Sequence, residues 1–171
     1  KLDWPELVEF KNSFTQPVPG KIEHDLAKRS IDLFTGQGRF VAPDTVQVGS
    51  QQITGQHILI CSGARARDLD FPGAEHVIPS YGFFDLQALP QKMVVIGGGY
   101  IAFEFAHLAI QAGVEVSLIV RSDWCLKAFD PDLVSLLVDK SRKLGITIHF
   151  NAPMDSIEKR GDSYLVSAAK G

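Results

Sequence analysis

The sequence predicts an α/β fold, and three observations carry the prediction. Residues 93–96, 114–120 and 146–150 are short apolar runs separated by two helix-length segments, 100–112 and 131–144. That alternation forces a parallel sheet with right-handed crossovers. Glycines stand where such units turn: Gly97-Gly98-Gly99 between the first strand and its helix, then Gly113 and Gly145 at the two helix ends. Upstream, residues 39–41, 45–48 and 52–54 are short β-prone runs split by Pro43-Asp44 and Gly49-Ser50, the pattern of a small antiparallel meander.

Taken in order, Asp3-Trp4-Pro5-Glu6 reads as a helix start, with Asp3 as cap, Pro5 in the first turn and Glu6 at the positive end. Leu7, Phe10 and Phe14 continue at helical spacing, and Pro17-Val18-Pro19-Gly20 breaks the helix. Residues 21–28 resume as a polar helix with Ile22 and Leu26 on one face. Residues 31–34 are expected as the first strand of the meander. Residues 57–61, apolar on both faces, are expected as a buried parallel strand. Residues 65–90 form a connector rich in Pro, Gly and aromatics, with a domain boundary near Pro90. In the helix from Tyr100, Ala102, Phe105, Ala106 and Ala109 share a close-packing face. In the helix opened by Pro131, the apolar residues are Leu133, Leu136, Leu137 and Leu144. Residues 156–159 and 164–168 flank Gly161-Asp162 as a hairpin.

Composition excludes several classes of function. The chain has 171 residues, 45% hydrophobic and 22% charged, with 17 basic and 20 acidic residues and a net charge of −3. This balance gives no pull toward nucleic acid or an anionic membrane. The two cysteines, Cys61 and Cys125, lie far apart among apolar neighbours, which points to buried thiols in a reducing compartment. No two of His24, His57, His76, His107 and His149 have the i, i+4 spacing of a helical metal site, so no metal is expected. Apolar runs fall far short of the ~20 residues of a membrane span, and no signal-peptide pattern opens the chain. A cytoplasmic location is expected.

The motif that carries chemistry is Gly97-x-Gly99-x-x-Ala102, a dinucleotide-binding fingerprint with alanine third. Gly97 permits the tight turn, Gly99 lets the backbone approach a pyrophosphate, and Ala102 lets the helix pack close to the sheet. A strand precedes it, a helix follows, and a second strand comes within about 30 residues, the context this short motif requires. In NAD-binding proteins an acidic residue at the tip of the second strand takes the ribose 2′-OH. Here that strand ends Val120-Arg121-Ser122, and Lys127 follows in the same loop. Cations without a carboxylate at the tip favour a 2′-phosphate, hence NADPH over NADH, although Asp123 in the same loop weakens the preference.

These residues, with Ser80-Tyr81-Gly82-Phe83-Phe84 running through Leu89-Pro90 into the glycine turn, resemble the pyridine nucleotide–disulfide oxidoreductases, most nearly the glutathione reductase branch. Ile58-Leu59-Ile60-Cys61-Ser62-Gly63-Ala64 resembles that family's flavin-side segment; Phe71-Pro72-Gly73 and Gly36-Gln37-Gly38-Arg39-Phe40 match two further segments. The resemblance implies a Rossmann-like NAD(P)-binding domain with a parallel sheet and hairpin, residues 90–171, cut before its last strand. A partial FAD domain with the antiparallel meander, residues 1–89, would precede it. Tyr100 would gate the nicotinamide pocket, and Glu104 would pair near the flavin with a lysine from a segment absent here. Gly97, Gly99, Tyr100, Ile101, Ala102, Arg121, Ser122 and Lys127 would bind NADP(H). Gly38, Ser62 and Gly63 would lie along FAD.

The same resemblance implies what is missing. The family carries an earlier glycine motif for FAD, a C-x4-C redox disulfide and a C-terminal interface domain with a His-Glu pair. None occurs in these residues. The expectation is therefore the middle of a longer enzyme that passes hydride from NADPH to flavin and electrons to a small-molecule disulfide, the parent being a homodimer. The chain alone would bind nucleotide without turnover. Two alternatives stand: a stand-alone nucleotide-binding module, and a flavin NAD(P)H oxidase or reductase lacking the redox disulfide.

Overall fold

The structure is a computed structural model describing residues 2–169. The chain divides into two compact units: one holds the residues up to Glu9 and from Ala66 onward, the other is Phe10–Arg65.

Helix α1, Trp4–Thr15, starts as the sequence predicts. The Asp3 carboxylate accepts the Glu6 N–H at 3.1 Å, occupying one of the donors a helix start leaves unpaired. Helix α2 spans Val18–Lys28, three residues earlier than expected. The reason is positional: Pro19 sits in the first turn, where no N–H is needed, so it starts this helix instead of delaying it.

In the Phe10–Arg65 unit, strands β1 (Gly38–Ala42), β2 (Thr45–Val48) and β3 (Gln51–Thr54) form the expected antiparallel meander. Two expected strands are absent. Residues 31–34 and 57–61 are irregular and exposed, Leu59 being 87% so. A strand needs a neighbour for its N–H and C=O groups. No described residue pairs with either segment, so apolar patterning alone does not make them strands. Cys61 is exposed with its segment, contrary to expectation, whereas Cys125 is buried.

In the other unit a 3₁₀ turn (Ala74–His76) and the short helix α3 (Ser80–Phe83) lead into the α/β part. Strand β4 (Lys92–Ile96), helix α4 (Tyr100–Ala112), β5 (Glu115–Ile119), α5 (Pro131–Lys143) and β6 (Thr147–His149) follow in the expected order. They make a parallel sheet of order β4-β5-β6. The hairpin of β7 (Met154–Arg160) and β8 (Ser163–Ala168) closes the unit.

Central strand β5 is the most deeply buried, with Val116 and Leu118 almost fully covered together with Val120 just beyond it. Phe103, Ala106 and Ala109 are the buried residues of α4, while Ala102 and Phe105 pack half-buried at the margin. An aromatic cluster adds to that margin. Phe105 stacks on Phe83 at 4.3 Å, and Trp4 meets both Phe83 and Phe84. The Trp4 indole donates to the Leu86 carbonyl at 2.8 Å. This gives each large ring apolar contact and the indole N–H its acceptor.

Helix α5 is corrected in its face. Leu133 and Leu136 are about two-thirds exposed; Val134, Val138 and Ser141 are the buried stripe, with Leu137 half-buried. Both stripes have helical spacing, and side-chain size selects the wrong one. Asp130 caps α5 by accepting from Asp132 and Leu133 N–H. Buried Ser141 donates to the Leu137 carbonyl at 2.7 Å, so the His107 Nε2–H of α4 donates to its hydroxyl at 2.8 Å. This bond joins the two crossover helices.

Two outcomes follow from these contacts. Gly73 has φ +83, and a Cβ there would lie 1.9 Å from the Ile157 carbonyl oxygen of β7. Gly73→Ala should therefore lower unfolding free energy by about 3 kcal/mol or more, read from a denaturant midpoint at unchanged slope. For His107, burial first and the Lys140 cation second hold the pKa below the ordinary value. The unfolded chain then takes up this proton more readily. Its stability contribution is full above about pH 6.5 and is lost as pH falls through the native value. Melting temperature should drop between pH 7.5 and 5.5, and His107→Gln should flatten that slope.

Candidate nucleotide-binding site

The site is built where β4 ends. The Gly97 N–H donates to the Ile119 carbonyl at 2.9 Å, extending the β4–β5 ladder by one bond. Gly97 then turns the chain at φ +138, a conformation side chains rarely adopt. Ala102 faces it from α4, its methyl 3.8 Å from where a Cβ on Gly97 would stand. A larger residue at 102 would push the helix off the turn.

Gly99 is extended, at φ −91 and ψ 173, and precedes α4. A Cβ on it would meet nothing within 4 Å. No side chain caps α4 and no acid lies in its first turn. The helix therefore presents uncapped N–H groups and its positive end over an open approach at Gly99, the chemistry an anion needs. Tyr100 and Ile101 are exposed on that rim, Tyr100 by 59%. Glu104, one turn further on, is exposed. These features fit the pyrophosphate of a dinucleotide.

Gly98, between the two fingerprint glycines, has a role that the spacing rule does not reveal. A Cβ there would lie 2.9 Å from Val120 Cγ1 and 3.4 Å from Cys125 Cβ. Its carbonyl accepts the Leu126 N–H at 2.8 Å. Leu126 takes a left-handed φ of 49 to make this bond. The loop after β5 is thus clamped on the glycine turn, with Cys125 buried beneath it and its thiol pKa raised chiefly by burial. The third consecutive glycine was the available signal.

That loop holds the other expected residues. Arg121 is exposed just beyond buried Val120. Ser122 is half-buried and donates its hydroxyl to the Trp124 carbonyl at 3.1 Å. Lys127 Nζ donates to Asp123 Oδ1 at 2.9 Å. The hydrogen bond from Lys127, and then its charge, hold the Asp123 carboxyl below the usual carboxylate range. Lys127 is therefore a paired cation. Trp124 stacks on Phe150 at 5.5 Å, anchoring the loop to the end of the sheet.

The structure thus brings Gly97, Gly99, Tyr100, Ile101 and Ala102 into one unit with Arg121, Ser122 and Lys127. Gly38, in β1, and Ser62 and Gly63 are exposed residues of the Phe10–Arg65 unit. Among the described residues no group of His, Cys, Asp and Glu could hold a metal ion, and no helix is long and apolar enough to cross a membrane.

Comparisons with known proteins identify the family. The family described as pyridine nucleotide-disulphide oxidoreductase matches residues 7–171. A chloroplastic/mitochondrial glutathione reductase of Pisum sativum is 33% identical over 96% of this chain and 30% of its own length. A soluble pyridine nucleotide transhydrogenase of Mycobacterium bovis is 32% identical over 92% of this chain and 36% of its own. The HOCl-induced flavoprotein disulfide reductase RclA of Escherichia coli superposes with a TM-score of 0.89, at 26% identity over 99% of this chain and 40% of that one. The chain spans about a third of the length of the curated relatives it matches. It belongs to the pyridine nucleotide-disulphide oxidoreductase family.

The open space at Gly99 yields a sharp outcome. Its φ and ψ suit any residue, so Gly99→Val should still fold, with a loss of about 1 kcal/mol for the poorer N-cap. Nucleotide binding, followed by titration calorimetry, should weaken by at least about 100-fold because the valine fills the approach.

Proposed function

We propose that this chain supplies the NADPH site of a FAD-dependent disulfide oxidoreductase and, by itself, binds nucleotide without turnover. The observation that carries this reading is the uncapped N-terminus of α4 above the Cβ-free approach at Gly99. The pyrophosphate would sit on the N–H groups opening α4. Arg121 and Lys127, with the Ser122 hydroxyl, would receive the 2′-phosphate. Lysine is a point charge where arginine is a fork, so Lys127 holds the phosphate less firmly than Arg121.

Tyr100, exposed at the first position of α4, would cover the nicotinamide pocket and move aside when nucleotide enters. Glu104 would lie toward the flavin and pair with a lysine from outside these residues. Gly38, Ser62 and Gly63 would offer exposed backbone and a hydroxyl to FAD. When bound, FAD would supply the step that accepts hydride from NADPH and releases electrons toward a disulfide. On this reading residues 1–89 belong to the FAD domain and 90–171 to the NAD(P) domain. The complete protein would be a cytoplasmic homodimer acting on a small-molecule disulfide.

A second reading is favoured by the likeness to a pyridine nucleotide transhydrogenase. In that case the flavin would exchange hydride with nucleotides and no redox disulfide would be needed. The two readings share the site described here and differ in whether a C-x4-C pair accompanies it.

The test of the nucleotide assignment is a paired titration. NADPH should bind about threefold or more tightly than NADH, and Arg121→Ala should remove most of that difference. Equal affinities, or tighter NADH, would contradict the 2′-phosphate role of Arg121 and Lys127.

A further inference from the structure

The loop after β5 carries a carboxylate that the fingerprint does not include, and its placement has a consequence for specificity. Asp123 and Lys127 bracket the short stretch Trp124-Cys125-Leu126. That stretch is held by three contacts on two residues: Trp124 stacks on Phe150, Cys125 is buried against Gly98, and Leu126 bonds the Gly98 carbonyl. The backbone under the Asp123–Lys127 pair is therefore held rigidly to the phosphate turn, and both charged ends are exposed.

We propose that Asp123 is a specificity-determining residue that limits discrimination between NADPH and NADH by holding Lys127 in an ion pair that a 2′-phosphate must displace. This rests on the nucleotide reading above and deepens it. In the free protein Lys127 already has an anionic partner at 2.9 Å. A 2′-phosphate gains Lys127 only by competing with that carboxylate and by tolerating its negative charge nearby. A free ribose 2′-OH meets no such conflict, because a carboxylate accepts a hydroxyl hydrogen bond. An exposed pair exchanges readily, so the 2′-phosphate is admitted, though at reduced advantage. Arg121 has no ion-pair partner among the described residues and carries the remaining preference.

The experiment is a double-mutant cycle on the NADPH:NADH affinity ratio, measured by calorimetric titration of the whole chain. Melting curves verify that each variant folds. Asp123→Asn should raise the ratio about tenfold. In a Lys127→Gln background the same change should raise it by no more than about threefold, because the competition for Lys127 is gone. Asp139→Asn, an exposed acid on α5, controls for net charge and should change the ratio less than about twofold. Suppose both nucleotides bind in a Gly99-dependent way, yet Asp123→Asn leaves the ratio unchanged or shifts it equally in both backgrounds. The inference is then overturned and the nucleotide reading stands. Binding that does not depend on Gly99 overturns both.

Discussion

The contact on which the site depends is the seat of Gly98 against Val120 and Cys125. It leaves no room for a side chain, and the Gly98 carbonyl takes the Leu126 N–H. One residue thereby joins the glycine turn before α4 to the loop that carries Arg121 and Lys127. The neighbouring constraints follow from it. Gly97 must turn sharply to bring Gly98 down onto Val120 and Cys125, just beyond β5, and Gly99 must return the chain to an extended conformation so that α4 begins with free N–H groups. Leu126 accepts a left-handed backbone to complete the bond, a conformation that is costly for a residue with a side chain.

Charge around the turn is arranged by position more than by amount. The chain as a whole is mildly acidic, yet the first turn of α4 contains no acid and Arg121 stands two residues beyond the end of β5. Two acids of the segment between β5 and α5 already have partners. Asp130 caps α5, and Asp123 is paired with Lys127. Local arrangement therefore leaves the start of α4 free of negative charge within a chain of net charge −3.

The sheet and its crossovers were legible in the sequence because every level agreed there. β-prone runs, glycine stops and helical spacing all point to β4-α4-β5-α5-β6, and the fingerprint glycines fall at its first turn. Legibility failed where the decisive partner is not local. Residues 57–61 are patterned for a buried strand, but strand hydrogen bonds come from a neighbour, and none of the described residues provides one. On α5, Val134 and Leu133 are equally apolar by pattern, and only packing shows which is inside. Gly98, Cys125 and Leu126 were missed because the fingerprint leaves its second position open. The pairing of Lys127 with Asp123 was hidden for the same reason, since a loop sequence does not state which charges meet.

The central claim is that the N–H groups opening α4 receive the pyrophosphate. Amide chemical shifts test it most directly, recorded on ¹⁵N-labelled protein as NADPH is added. The account predicts saturable shifts at Gly99, Tyr100 and Ile101, with those in the Phe10–Arg65 unit unmoved. Saturable shifts that leave these three amides in place would contradict it.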